Sequence, residues 1–87
     1  MGYLYILQSL TNHRYYIGST SNLKLRIEQH NNGESRYTRL TKPFELVFSK
    51  EYSSRTSAYK AEYWLKQQKD KKLIEQIIKD GEFKKEF

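Results

Sequence analysis

Between residues 22 and 30, Leu23 and Ile27 stand four apart and mark the buried stripe of a helix that turns by ~100° per residue. On that wheel Arg26 and His30 fall roughly 20–60° to one side of Leu23, while Lys24 and Glu28 point elsewhere. A guanidinium that can fork onto phosphate oxygens and an imidazole that can carry a proton therefore lean toward whatever the helix packs on. The plain alternative for Arg26 is that its head group snorkels out to water. In a second helix, Ala58, Ala61 and Leu65 form the apolar stripe, and Glu62 lies inside it. A carboxylate facing a core is costly unless a cation or hydrogen-bond donors compensate it. Arg26 as an ion-pair partner would do so, and so would a divalent metal held between helix and sheet. Tyr5 and Tyr16 complete the set if they share one face of a hairpin, where two phenols would converge beside Gly18. An even-sum strand pairing would put them on opposite faces, and two amphipathic core rings are the bland reading.

The elements that must position these groups are legible. Tyr3–Leu7 is apolar and aromatic on both alternating faces, as a strand covered on both sides would be. Thr11–His13 turns the chain and Arg14–Gly18 returns as the second strand. Thr20 or Ser21 can cap a helix over Asn22–His30, which Asn31-Asn32-Gly33 ends. Residues 34–43 read as a polar loop closed by Pro43, followed by a third strand over Phe44–Phe48. Ser53 or Ser54 caps a helix over about 55–68. Asp70 caps another whose Leu73, Ile74, Ile77 and Ile78 repeat at helical spacing before Asp80-Gly81 stops it. The order β-β-α-β-α-α predicts an α+β fold, a three-stranded antiparallel sheet flanked by helices, in one domain spanning 1–87.

The chain's 87 residues exclude a two-domain enzyme, a Rossmann-scale cofactor fold and a barrel. The absence of cysteine excludes a disulfide framework and any thiolate-ligated metal, and makes the reducing cytoplasm the expected compartment. Neither a membrane span nor a signal peptide is expected. Lys and Arg number 16 against 10 Asp and Glu, and the excess is uneven. Residues 12–42 hold six basic side chains against Glu28 and Glu34, interleaved with Tyr15, Tyr16, Tyr37 and two His. Positive charge beside flat aromatics suits a polyanion with stackable bases, although a charged face also simply keeps a small protein soluble.

Tyr3-Leu4-Tyr5, followed by Tyr16-Ile17-Gly18, resembles the paired signature of the GIY-YIG nucleases. The resemblance continues through Gly18–Leu23, Arg26 eight residues after the glycine, His30-Asn31, and Glu62 within Lys60–Lys66, and so covers essentially the whole chain. It is similar to the small stand-alone bacterial branch of that family. The resemblance implies a metal-dependent phosphodiester nuclease. Tyr5 and Tyr16 match the signature tyrosines, with Tyr5 the favoured general base. Arg26 matches the catalytic arginine, His30 a site histidine, and Glu62 the single metal-binding carboxylate, for Mg²⁺ or Mn²⁺. Three positions depart: Tyr3 stands where the first motif has its glycine, Ser19 where some relatives carry a basic residue, and Leu73–Ile78 lacks the Asn some relatives have there.

Phosphodiester hydrolysis needs an activated water, stabilisation of the charge gathering on phosphate, and help for the leaving oxygen. A lone core-facing carboxylate favours a one-metal scheme, with Arg26 on the pentacovalent phosphate and a Tyr hydroxyl as base. A phenol ordinarily ionises near pH ~10, so that base needs Arg26, the metal or a relay through His30. Arg36, Tyr37, Arg39 and Lys42, with Arg14 and Lys24, are the expected nucleic-acid contacts. DNA is the expected substrate, with RNA as the alternative. No helix reads as a groove-recognition element, so structure-selective cutting, in a setting such as DNA repair, is expected over sequence-specific cutting. Two competing readings are a non-catalytic nucleic-acid-binding module that keeps the fold, and a structural protein in which Glu62 and Arg26 form a buried ion pair.

Overall fold

The computed structural model describes residues 1–34 and 39–87, with the side chain of Arg39 outside that set. Three strands, β1 (Gly2–Ser9), β2 (Tyr15–Thr20) and β3 (Phe44–Tyr52), form one antiparallel sheet in the order β2-β1-β3. Helices α1 (Leu23–Asn31), α2 (Arg55–Gln68) and α3 (Lys71–Asp80) cover it. This is the α+β fold and element order that the sequence predicts.

The central strand is buried on both faces, as its unbroken apolar run requires. Leu4 and Ile6 join Phe48, Tyr52, Ala58, Ala61, Leu65, Ile74 and Ile77 in the larger core under α2 and α3. Tyr5, Leu7 and Phe44 form the smaller core under α1, against which Tyr16, Leu23 and Ile27 pack. In β3, Phe44 and Phe48 stand an even number apart, yet they serve opposite faces. The reason is an irregularity in the β1–β3 ladder: Ile6 pairs with Phe48 but Leu7 with Leu46, which leaves Val47 as the extra residue.

Helix boundaries follow their caps. Ser54 accepts from Ser57 N, and Asp70 accepts from Lys72 N and Leu73 N. Gly81 at φ 69° closes α3, and Lys69 at φ 49° breaks the chain sharply between α2 and α3. For α1 the cap is Asn22, whose side chain accepts from Leu25 N, and not Thr20 or Ser21. Thr20 instead accepts from Asn22 N and orients that cap. The third strand runs four residues beyond the predicted Phe44–Phe48. Its extension holds because Tyr52 is buried and Lys50 donates to Phe83 O at 2.6 Å and Lys85 O at 3.4 Å in the C-terminal segment. Of the expected loop at 34–43, a short 3-10 turn at Arg39–Thr41 is described. No helix is long and apolar enough to cross a membrane, among the described residues.

Candidate active site

Strand register decides where the two phenols go. Tyr5 pairs with Gly18 and Leu7 with Tyr16, an odd-sum pairing that puts Tyr5, Leu7, Tyr16 and Gly18 on the α1 face. A Cβ at Gly18 would collide with the Tyr5 hydroxyl and the ring carbon bearing it, so glycine is what lets the phenol lie flat across β2. The Tyr5 hydroxyl is there met by both predicted α1 residues. Arg26 donates from Nε at 3.3 Å, and His30 Nε2 lies 3.0 Å away.

Because Arg26 can only donate, the arrangement that satisfies every group has Tyr5 O–H donating to an unprotonated Nε2. The electrostatics agree. Burial, and secondarily the neighbouring Arg26 charge, hold the His30 pKa below its ordinary value of 6.5. The helix is pinned by Asn31, which accepts from Phe44 N at 2.7 Å and donates to Phe44 O at 3.4 Å. Gln29 Oε1 accepts from Arg26 Nη1 at 3.3 Å and steadies the far end of the guanidinium.

Glu62 reaches the same place from the opposite face of the sheet. Its side chain is 15% exposed, and its partners are Lys66 Nζ at 2.6 Å and Ser19 Oγ, which donates to Oε1 at 2.6 Å. The ion pair with Arg26, one of the two compensations expected, is not formed: among the described residues no carboxylate lies within ion-pair distance of Arg26. Ser19 pairs with Leu4 and so faces α2, whereas Gly18 faces α1. β2 is an outer strand of the sheet, and the site wraps around its free edge. A cleft of about 460 Å³ is lined by Tyr5, Tyr16, Arg26, His30 and Glu62 together, with Lys66 at its rim.

The two phenols differ. Tyr16 OH accepts from Thr41 Oγ1 at 3.2 Å, and its ring stands edge-on to Phe44 at 5.1 Å. Tyr5, not Tyr16, is therefore the phenol in contact with a cation and an imidazole. Among the expected nucleic-acid contacts, Arg14, Lys24 and Lys42 are exposed, while Arg36, Tyr37 and the Arg39 side chain lie outside the described residues. Ser19 and Lys66 were missed as Glu62's partners. The Lys66 signal was present as a Glu-to-Lys pair four apart on one helix. The Ser19 signal needed the register.

A family model described as the GIY-YIG catalytic domain matches residues 1–75. The chain belongs to the GIY-YIG family. Within it, the chain is similar to small bacterial proteins. A UPF0213 protein of Clostridium perfringens is 35% identical, over all of this chain and 98% of the relative. The UPF0213 protein YazA of Bacillus subtilis is 34% identical over 80% of this chain and 71% of the relative. A UPF0213 protein of Bacillus halodurans, with a structure determined by NMR in solution, superposes with a TM-score of 0.56 at 32% identity, covering 91% of this chain and 84% of that one. Membership of the GIY-YIG family makes this a nuclease-type domain; nucleases of that family act on nucleic acid and generally depend on a divalent metal.

Proposed function

We propose that this protein is a metal-dependent endonuclease that hydrolyses phosphodiester bonds in DNA, choosing its substrate by structure rather than by sequence. The observation that carries the proposal is the Tyr5 hydroxyl, held between Arg26 and His30 in a cleft whose other wall is Glu62. Tyr5 is the general base. It takes a proton from the attacking water while its own proton passes along the existing 3.0 Å hydrogen bond to His30 Nε2. The hydroxide attacks phosphorus in line, the bond to the 3′ oxygen breaks, and that oxygen leaves with the bonding pair. Arg26 lies where its guanidinium stabilises a phenolate on Tyr5 and the charge on the non-bridging oxygens. Tyr16, whose hydroxyl is held by Thr41, lines the cleft and orients the phosphate.

Glu62 is the one carboxylate lining the cleft, and among the described residues no group of three His, Cys, Asp or Glu could cage a metal. That donor set fits a hard divalent cation such as Mg²⁺ or Mn²⁺. Mg²⁺ keeps several waters and binds through one or two carboxylates plus substrate phosphate. When bound, such a cation supplies positive charge to the phosphate and the departing oxygen. Ser19 keeps the carboxylate aimed into the cleft by donating to Oε1, while Lys66 holds Oε2, the oxygen that would serve a divalent cation. The domain is proposed to span 1–87 whole: the family match ends at 75, but Ile77, Phe83 and Phe87 pack on the same core.

Glu62→Ala and Arg26→Ala are each expected to abolish Mg²⁺-dependent cleavage of flap, fork and hairpin oligonucleotides, with circular dichroism and the melting transition preserved. Cleavage retained by either folded variant overturns the assignment.

A further inference from the structure

Next to the active-site cleft, and sharing Tyr16, Ile17 and Lys66 with it, lies a larger cleft of about 600 Å³. Its floor is apolar: Leu65 and Ile74 are buried, Ile17 is half-buried, and Tyr15 stands beside them. Its rim is basic. Arg14, Lys69 and Lys71 line it, all exposed and none in an ion pair among the described residues. Asp70 is the single acid in the lining, and its carboxylate is already taken up by Lys72 N and Leu73 N as the cap of α3.

An apolar floor under unneutralised cations has a specific complement, a polyanion that also offers a flat apolar face. Paired bases hide that face within the duplex stack, whereas an unpaired strand presents it while its phosphates remain on the outside. We propose that this second cleft holds an unpaired nucleic-acid strand running into the active site. A base would lie against Tyr15 and the Ile17–Ile74 floor, with the flanking phosphates on Arg14, Lys69 and Lys71. The strand enters the catalytic cleft past Tyr16 and Lys66, so cutting falls beside a junction between single-stranded and paired nucleic acid. The proposal rests on the nuclease reading and supplies its substrate selection. Only Arg14 among these contacts was expected from the sequence. Lys69 and Lys71 reach the cleft because α2 ends and α3 begins there.

The test uses the full chain carrying Arg14→Gln, Lys69→Asn and Lys71→Gln together, all on exposed side chains. Asn at 69 tolerates the left-handed backbone that position adopts. Binding of fluorescent oligothymidylate and of a blunt hairpin duplex is measured by anisotropy in EDTA, where nothing is cut. The triple variant is expected to lose at least ~10-fold in single-strand affinity, and its salt slope to become shallower by ~2, at about 0.7 per phosphate contact. Duplex affinity should stay within twofold. Equal loss on both ligands, or no loss on the single strand, overturns the proposal. A second readout uses the unaltered chain: an oligothymidylate bearing 5-iodouracil should photocrosslink at Tyr15, and crosslinks confined to α1 count against the cleft. Wild-type protein that binds the strand in this way yet cuts no substrate with Mg²⁺ or Mn²⁺ would sink the nuclease reading and leave the cleft standing. Forked substrates cut equally well by wild type and triple variant would do the reverse.

Discussion

His30 is buried beside Arg26, and both circumstances disfavour its protonated form. Its folded pKa lies below 6.5, so between that lowered value and 6.5 the unfolded chain binds a proton that the folded chain refuses. The stability contributed by neutral His30 is therefore complete above pH 6.5 and is lost as pH falls through that window. Urea midpoints measured from neutral to mildly acidic pH should decline, and His30→Gln should flatten the decline. Cleavage should show an acid limb at the lowered His30 pKa, the acid end of that window, since a protonated imidazole cannot accept from Tyr5. A rate with no acid limb anywhere above the acid-unfolding transition would remove His30 from the relay. Gly18 makes a separate demand. Gly18→Ala drives a methyl into the Tyr5 phenol and should cost ~10²-fold or more in cleavage rate, with the fold kept. Single-turnover kinetics check this. At this scale the sequence was informative about residue types and mute about partners. Arg26, His30 and Glu62 stood out because a polar group on an apolar stripe needs a reason. That Glu62 answers to Ser19 rather than to Arg26 depended on which face β2 turns to which helix, and composition does not carry that.

At the scale of elements, α1 holds its two functional side chains over Tyr5 through one anchor, the paired hydrogen bonds between Asn31 and the Phe44 backbone. Asn31→Ala leaves that backbone N–H without its partner. The expected cost is ~1–3 kcal/mol of stability by denaturant titration, with faster amide exchange at the C-terminal end of α1. Helix ends were readable because Ser54, Asp70 and Gly81 cap by local chemistry that needs no tertiary contact. The shift at Val47 was not readable. Phe44, Leu46 and Phe48 alternate as one face of a regular strand would, and only pairing with β1 reveals the residue that sends Phe44 to one core and Phe48 to the other. The parity that put Tyr5 and Tyr16 together is of the same kind, a one-residue choice that the turn at 11–13 leaves open.

Across the whole molecule, the C-terminal segment belongs to the structure as much as the helices do. Phe83 is buried and tilts against Trp64 with ring centroids 5.9 Å apart, while Lys50 holds the segment through Phe83 O and an ion pair to Glu86 at 3.1 Å. Phe83→Ala should lower stability by about 3 kcal/mol, at the lower end of the range for a buried ring because the ring sits near the surface. Cleavage at temperatures well below the transition should be unaffected, because Phe83 lies outside the catalytic cleft. Thermal melting and an activity assay on the same preparation separate the two effects. The net charge of +6 suits a polyanion as well as it suits plain solubility. It did not show where a polyanion would bind, because Arg14 lies far in sequence from Lys69 and Lys71 and meets them only in the fold.

The free edge of β2 runs through the middle of this arrangement, with Glu62 approaching from one side and Tyr5 from the other. Its outward backbone amides and carbonyls are an open template for another extended peptide. Any chain that added itself there would seal the entrance. Self-association through this border would therefore compete with turnover of a substrate, and a bound oligonucleotide would shield the same stretch of main chain from sheet growth.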